Sequence, residues 1–201
     1  MAATASPGLA RFRLVLWILV VVAALGATAL FIFAPPRDPT GVGLGGGTYS
    51  LLDGKGQPVD QTMFTGHPSL LFFGYTHCPD VCPTTMAEMA DWFEKLGPDA
   101  TTLKAYFVTV DPERDTPEVI GDYVGWMDGK VTAITGSREE IDKIITAWKV
   151  LGEKVGTGDD YTMNHTASVF LVNAQGGFEG TIAYGENADV AVQKIRKLVG
   201  A

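Results

Sequence analysis

The chain is poor in cysteine, histidine and positive charge. Only two cysteines, Cys78 and Cys82, stand among 201 residues, too few for a small domain braced by several disulfides. Lysine and arginine number 15 against 23 acidic residues, for a net charge of −8, and because Arg11 and Arg13 are the only charges before Ala34 the remainder carries −10. A surface of that sign does not neutralise phosphates, which excludes nucleic acid as a partner and suits a cationic protein or ligand. No phosphate-cradling glycine loop, paired-carboxylate motif, Ser/His/Asp arrangement or internal repeat stands out, so those chemistries lack a carrier. What remains is 46% hydrophobic and 19% charged, enough apolar material for a core and too little charge for a disordered polyelectrolyte.

Apolar side chains are concentrated near the N-terminus. Leu14 to Phe33, LVLWILVVVAALGATALFIF, holds no charge and, at ~1.5 Å per helical residue, reaches across a hydrocarbon core of ~30 Å. It reads as a transmembrane anchor. Arg11 and Arg13 precede it and the following APPRDPTGVGLGGG is weakly charged, which leaves the N-terminus in the cytoplasm and sends the rest outward. Ala27-Thr28-Ala29 has the pattern of a cleavage site, but the apolar run continues through Phe33, which favours an uncleaved anchor over a secretory leader. The expected place is a bacterial inner membrane with the domain in the periplasm. The acid-free opening MAATASPGLARFR also fits a transit peptide, and then a mitochondrial inner membrane facing the intermembrane space. The chain divides into a cytoplasmic terminus (1–13), the anchor (14–33), a Pro/Gly-rich tether (34–47) and a single domain (48–201).

Within that domain strand and helix patterns alternate. Tyr49–Leu52 and Gln57–Val59 flank Asp53-Gly54-Lys55-Gly56 as a hairpin. Leu70–Gly74 and Leu103–Val110 read as strands buried on both faces, Val131–Thr135 as a shorter one. Ser168–Val172 and Thr181–Tyr184 are strands around a Gly176-Gly177 turn. Helices are expected from Pro83-Thr84 to Leu96, from Thr116-Pro117 through Trp126, from Glu139 to Lys149 behind a Ser137 capping box, and from Ala188 to Leu198. Gly152 to Asp160 reads as a glycine-rich loop. The pattern predicts an α/β fold: a mixed sheet flanked by helices on both sides.

Chemistry concentrates where Leu70–Gly74 ends. In His77-Cys78-Pro79-Asp80-Val81-Cys82-Pro83 the two cysteines are four apart, so on a first helical turn both sulfurs share a face, close enough to hold one ion or each other. A helix N-terminus favours the thiolate, both nucleophile and metal ligand. As a staple a disulfide closing about five residues contributes only about 2 kcal/mol, and a thioredoxin-type redox pair is one residue shorter. His165, in Tyr161-Thr162-Met163-Asn164-His165-Thr166, can add an imidazole. Two thiolates and an imidazole suit copper; zinc takes the same donors but wants a fourth, for which Asp80 or water is at hand. His77 faces away and His67 lies in a loop. In Val110-Asp111-Pro112-Glu113-Arg114-Asp115-Thr116-Pro117, Asp115 or Thr116 serves as helix cap with Pro117 first in the helix, and Asp111 is left over.

These motifs, Phe73-Gly74-Tyr75-Thr76-His77-Cys78-Pro79-Asp80-Val81-Cys82-Pro83, then Asp111-Pro112-Glu113-Arg114-Asp115-Thr116, then a late His165-Thr166 before a strand, resemble the Sco/SenC family of copper proteins of cytochrome c oxidase assembly. The resemblance covers about Thr48 to Leu198. It implies a thioredoxin-like fold with an added N-terminal β-hairpin, copper as Cu(I) or Cu(II) on Cys78, Cys82 and His165, and Asp111 flanking the site. It further implies a copper chaperone without catalytic residues, partnered by cytochrome c oxidase subunit II and by other copper chaperones or thiol-disulfide reductases. The family also allows a thiol-disulfide reductase, with Cys78 and Cys82 as its redox pair. One position departs: Asn164 stands where many members carry Asp before the histidine, keeping hydrogen-bonding capacity but losing a charge.

Overall fold

The structure, a computed structural model, describes residues 7–33, 43–158 and 160–200. Two compact units divide the chain, Met1–Asp38 and Pro39–Ala201. In the first, helix α1 (Pro7–Phe33) begins ahead of the expected anchor and takes in Arg11 and Arg13. Among the described residues no helix is long and apolar enough to cross a membrane. Residues 1–6 and most of the expected tether, 34–42, lie outside the described residues.

The second unit is a mixed α/β domain. Its elements are β1 (Ser50–Asp53), β2 (Pro58–Asp60), β3 (Ser69–Gly74), α2 (Val81–Leu96), β4 (Lys104–Thr109), α3 (Pro117–Val124), β5 (Val131–Thr135), α4 (Arg138–Trp148), β6 (Gly152–Val155), β7 (Thr162–His165), β8 (Val169–Val172), β9 (Phe178–Ile182) and α5 (Ala188–Val199). Seven strands form one sheet in the order β2-β1-β5-β4-β3-β8-β9. Its centre, β3, β4 and β5, is parallel, joined by α2 and α3, and the flanking pairs are antiparallel. Every residue of β3 and β8 is buried, as expected of apolar strands covered on both faces. Helix α2 packs on α5, while α3 lies against β5 and β1.

The N-terminal hairpin joins this sheet through β1 and β5. Its turn approaches α3 so closely that a Cβ at Gly121 would lie 2.6 Å from the Gly54 carbonyl oxygen; only glycine leaves room there.

Four expectations change. Helix α2 starts at Val81, two residues before Pro83, and Cys78 lies ahead of it. Ser137 caps α4 by accepting from the Glu140 N–H, but the Glu140 carboxylate does not return the bond; it accepts from the Ser50 N–H at 2.6 Å and pairs with Lys143, binding α4 to the edge of β1. Helix α3 ends at Val124, and Trp126 sits exposed in a 3-10 turn. The stretch from Gly152 is a loop only in its second half: Gly152–Val155 is β6, which pairs antiparallel with β7 in a separate two-stranded sheet, and the bend begins at Gly156. Alternation is weak in Gly-Glu-Lys-Val, and the pairing is supplied by the partner strand rather than by local pattern.

Candidate metal centre

The cysteines enter from the end of the central parallel sheet. Strand β3 delivers the chain to Tyr75, and a turn in which the Cys78 N–H donates to the Tyr75 carbonyl leads into α2. Asp80 is the N-cap residue but makes no side-chain cap. The Cys78 sulfur takes part of that role, accepting from the Cys82 N–H at 3.4 Å, so a helix-terminal donor faces the sulfur. Cys82 is fully buried in the first turn. Its sulfur sits under β3: a Cβ at Gly74 would lie 2.8 Å from it and 2.8 Å from the Phe107 ring. Burial pushes the Cys82 thiol far above its usual range. The expected activation of both cysteines by the helix N-terminus is therefore corrected for Cys82, because desolvation of the thiolate outweighs the helix field.

The third donor comes from the separate hairpin. His165 ends β7, opposite Gly152. Its Nδ1 lies 3.1 Å from the Thr166 carbonyl oxygen, so this nitrogen carries the proton and Nε2 keeps its lone pair. Nε2 is 3.4 Å from the Cys82 sulfur and 4.0 Å from the Cys78 sulfur, and all three donor atoms lie within 4.8 Å of one another. Tyr75 and Phe72 meet the imidazole edge to face at centroid distances of 5.7 and 6.1 Å. Desolvation lowers the His165 pKa, keeping the ring neutral, as a metal ligand must be. Both cysteines are free thiols.

Other candidates fall outside this group. Asp80 is exposed and is not part of the donor cluster. His77 is exposed beside the Thr76 hydroxyl. His67 bonds to the Ser69 hydroxyl and stacks on Tyr106. Asn164 is exposed, on the face of β7 opposite His165, so its missing charge does not touch the imidazole.

The loop between β4 and α3 holds more than a cap. Thr116 is the N-cap of α3. Asp115, fully buried, accepts from the Thr76 N–H at 3.1 Å, the Thr76 hydroxyl at 2.6 Å and the Thr109 hydroxyl at 2.6 Å. It ties the turn before Cys78 to the end of β4. Burial lifts its carboxyl pKa, against the pull of those hydrogen bonds. Asp111, also buried, accepts from Arg114 Nε at 2.5 Å and from the Tyr161 hydroxyl at 2.7 Å. Nothing in the local sequence distinguishes a capping aspartate from a buried link, or marks Tyr161 at all; both connections bridge distant segments.

A sequence model of the family described as SCO1/SenC matches residues 37–200. The chain belongs to the SCO1/SenC family. Among its SCO1/SenC relatives, the mitochondrial SCO2 homolog of Mus musculus is 34% identical over 163 residues, 79% of this chain and 64% of that protein. The mitochondrial SCO1 homolog of Homo sapiens is 36% identical over 141 residues, 66% of this chain and 46% of that protein. The chain thus spans less than two thirds of either relative. Of solved SCO1/SenC structures, Bradyrhizobium japonicum ScoI with copper bound is 38% identical at a TM-score of 0.69, covering 76% of this chain and 98% of that one. The thioredoxin-like mixed sheet with its added hairpin is the Sco fold.

Proposed function

We propose that this protein is a membrane-anchored copper chaperone that holds one ion through Cys78, Cys82 and His165 and helps deliver it to the binuclear copper site of cytochrome c oxidase subunit II. The observation that carries the reading is the convergence of two free thiols and the His165 Nε2 within 4.8 Å. Thiolates are the soft donors Cu(I) prefers, and the imidazole helps hold Cu(II). Binding displaces the proton that burial keeps on Cys82, so the buried thiol becomes a ligand only as a cation arrives. Three donors leave room for an incoming ligand, and copper passes by exchange, acceptor thiolates displacing Cys78 and Cys82. A Cys78–Cys82 disulfide would consume both sulfurs and block loading. The copper-bound relative from Bradyrhizobium japonicum supports the cargo.

The same proposal places an anchor at 14–33 and a tether at 34–47, with the domain from 48 in the periplasm or the intermembrane space. Other copper chaperones or thiol-disulfide reductases then load or reduce the site. The adjacent free thiols also fit the second reading, a thiol-disulfide reductase acting on the cysteines of that subunit or on a redox signalling partner.

Full-length protein in detergent, reduced and anaerobic, titrated with Cu(I) against a competing chelator, tests the two. The chaperone reading expects one Cu(I) per chain and, for His165→Ala, copper binding abolished or strongly weakened. Copper held no better than by the chelator, or disulfide reduction proceeding with His165→Ala copper binding intact, would move the assignment to the reductase.

A further inference from the structure

Strand β7 lays one face on the domain. Residues 161, 163 and 165 share that face by the two-residue repeat; Tyr161 and Met163 are buried and His165 is half-buried. At the base of the hairpin, where His165 stands, two bonds tie it down: the Thr166 N–H donates to the Leu151 carbonyl, and the Leu151 N–H to the Thr166 hydroxyl. At the other end Tyr161 is gripped by the β4–α3 loop. Its hydroxyl donates to Asp111, its carbonyl accepts from Arg114 Nη1 at 3.1 Å, and the Arg114 Cζ lies 3.6 Å from its ring centroid. A second cation, Lys154 of β6, lies 3.7 Å from the same centroid and pairs with Glu113 at 2.8 Å. Each cation over the ring is matched by a carboxylate of the loop, so the group is charge-balanced as well as packed.

We propose that Tyr161, gripped by Asp111, Arg114 and Lys154, is a positioning residue that fixes the roll of β7 and thereby aims His165 Nε2 at the two sulfurs. This rests on the reading of Cys78, Cys82 and His165 as copper donors. The base bonds hold the hairpin at the His165 end, the buried Met163 seats its middle, and the Tyr161 grip fixes the far end of the same face. Groups that support a metal-binding histidine typically contribute about 10–100-fold in affinity. Because thiolates are the donors Cu(I) prefers while the imidazole helps hold Cu(II), losing the aim of Nε2 costs Cu(II) binding more than Cu(I) binding.

The test uses full-length protein in detergent as wild type, Tyr161→Leu and Tyr161→Phe. Tyr161→Leu leaves the Asp111–Arg114 pair in place. It is expected to weaken Cu(II) binding about tenfold, to reduce the imidazole-nitrogen coupling in pulsed EPR, and to weaken Cu(I) binding by a smaller factor. In the metal-free protein, nitrogen NMR of His165 should change from one tautomer to a mixture, and amides 152–165 should exchange faster while Leu70–Gly74 stay protected. Tyr161→Phe, which keeps the ring over both cations, should recover most of the copper signal. Faster exchange with the His165 nitrogen shifts and the Cu(II) coupling unaltered would overturn the proposal, leaving Tyr161 a packing residue. If Tyr161→Leu fails to fold, Lys154→Ala at the exposed edge is read by the same His165 nitrogen shifts, and no change there overturns it. If wild type takes up no copper, the functional reading fails, while the metal-free shifts still decide the clasp.

Discussion

The two sides of the donor cluster are built differently. Cys78 and Cys82 are held by the backbone of the core: they follow the fully buried strand β3, one sulfur accepts a helix N–H, and the other is wedged under Gly74 and Phe107. His165 stands on a hairpin that forms its own sheet and is fastened to the domain chiefly through Tyr161, Met163 and a few polar bonds. The cysteine side should therefore be costly to disturb and take the whole domain with it. The histidine side should yield locally.

Four substitutions sharpen that contrast. Cys82→Ser should have the largest effect, reducing Cu(I) affinity in a chelator competition by more than the roughly 100-fold upper range for supporting groups, since it removes a donor outright. Asp115→Ala leaves the Thr76 N–H and two hydroxyls without their acceptor in a buried site. It should cost about 3 kcal/mol in urea unfolding, and the loss should extend to the protection of β3 and β4. Gly74→Ala forces the Cys82 sulfur and Phe107 apart; about 1–3 kcal/mol of overpacking is expected, together with weaker Cu(I) binding, read from the same two measurements. Glu113→Ala, on the hairpin side, removes an exposed partner of Lys154 and should leave the unfolding midpoint unchanged. A large, domain-wide loss from Glu113→Ala, or a negligible one from Asp115→Ala, would break the comparison.

Much of this was legible before any coordinates. The continuous apolar runs at Leu70–Gly74 and Leu103–Val110 became the buried parallel strands because a run without alternation has only a doubly covered place to go. The hairpin at Asp53-Gly54 followed from turn chemistry, since Asp53 Oδ1 accepts from both Lys55 and Gln57. Cys78, Cys82 and His165 were singled out by residue type and motif, and the structure brings them together. The β6–β7 pairing was not legible, because Gly152–Asp160 has neither apolar alternation nor strong strand formers, and its order depends on contacts with the β4–α3 loop. Nor was the role of Asp115, because a carboxylate before Thr-Pro looks like a helix cap until Thr76 and Thr109 are seen to donate to it.

The sequence by itself determined the strand and helix alternation, the CPDVC turn at a strand end and the chemical nature of the three donors, all of which follow from local pattern and side-chain type. Only the tertiary structure decided that Cys82 is buried while Cys78 is half-exposed, that Nε2 rather than Nδ1 faces the sulfurs, and that Tyr161 and Arg114 secure the strand carrying the histidine. Those outcomes depend on desolvation and on bonds between segments 40 or more residues apart, which no window of local sequence contains.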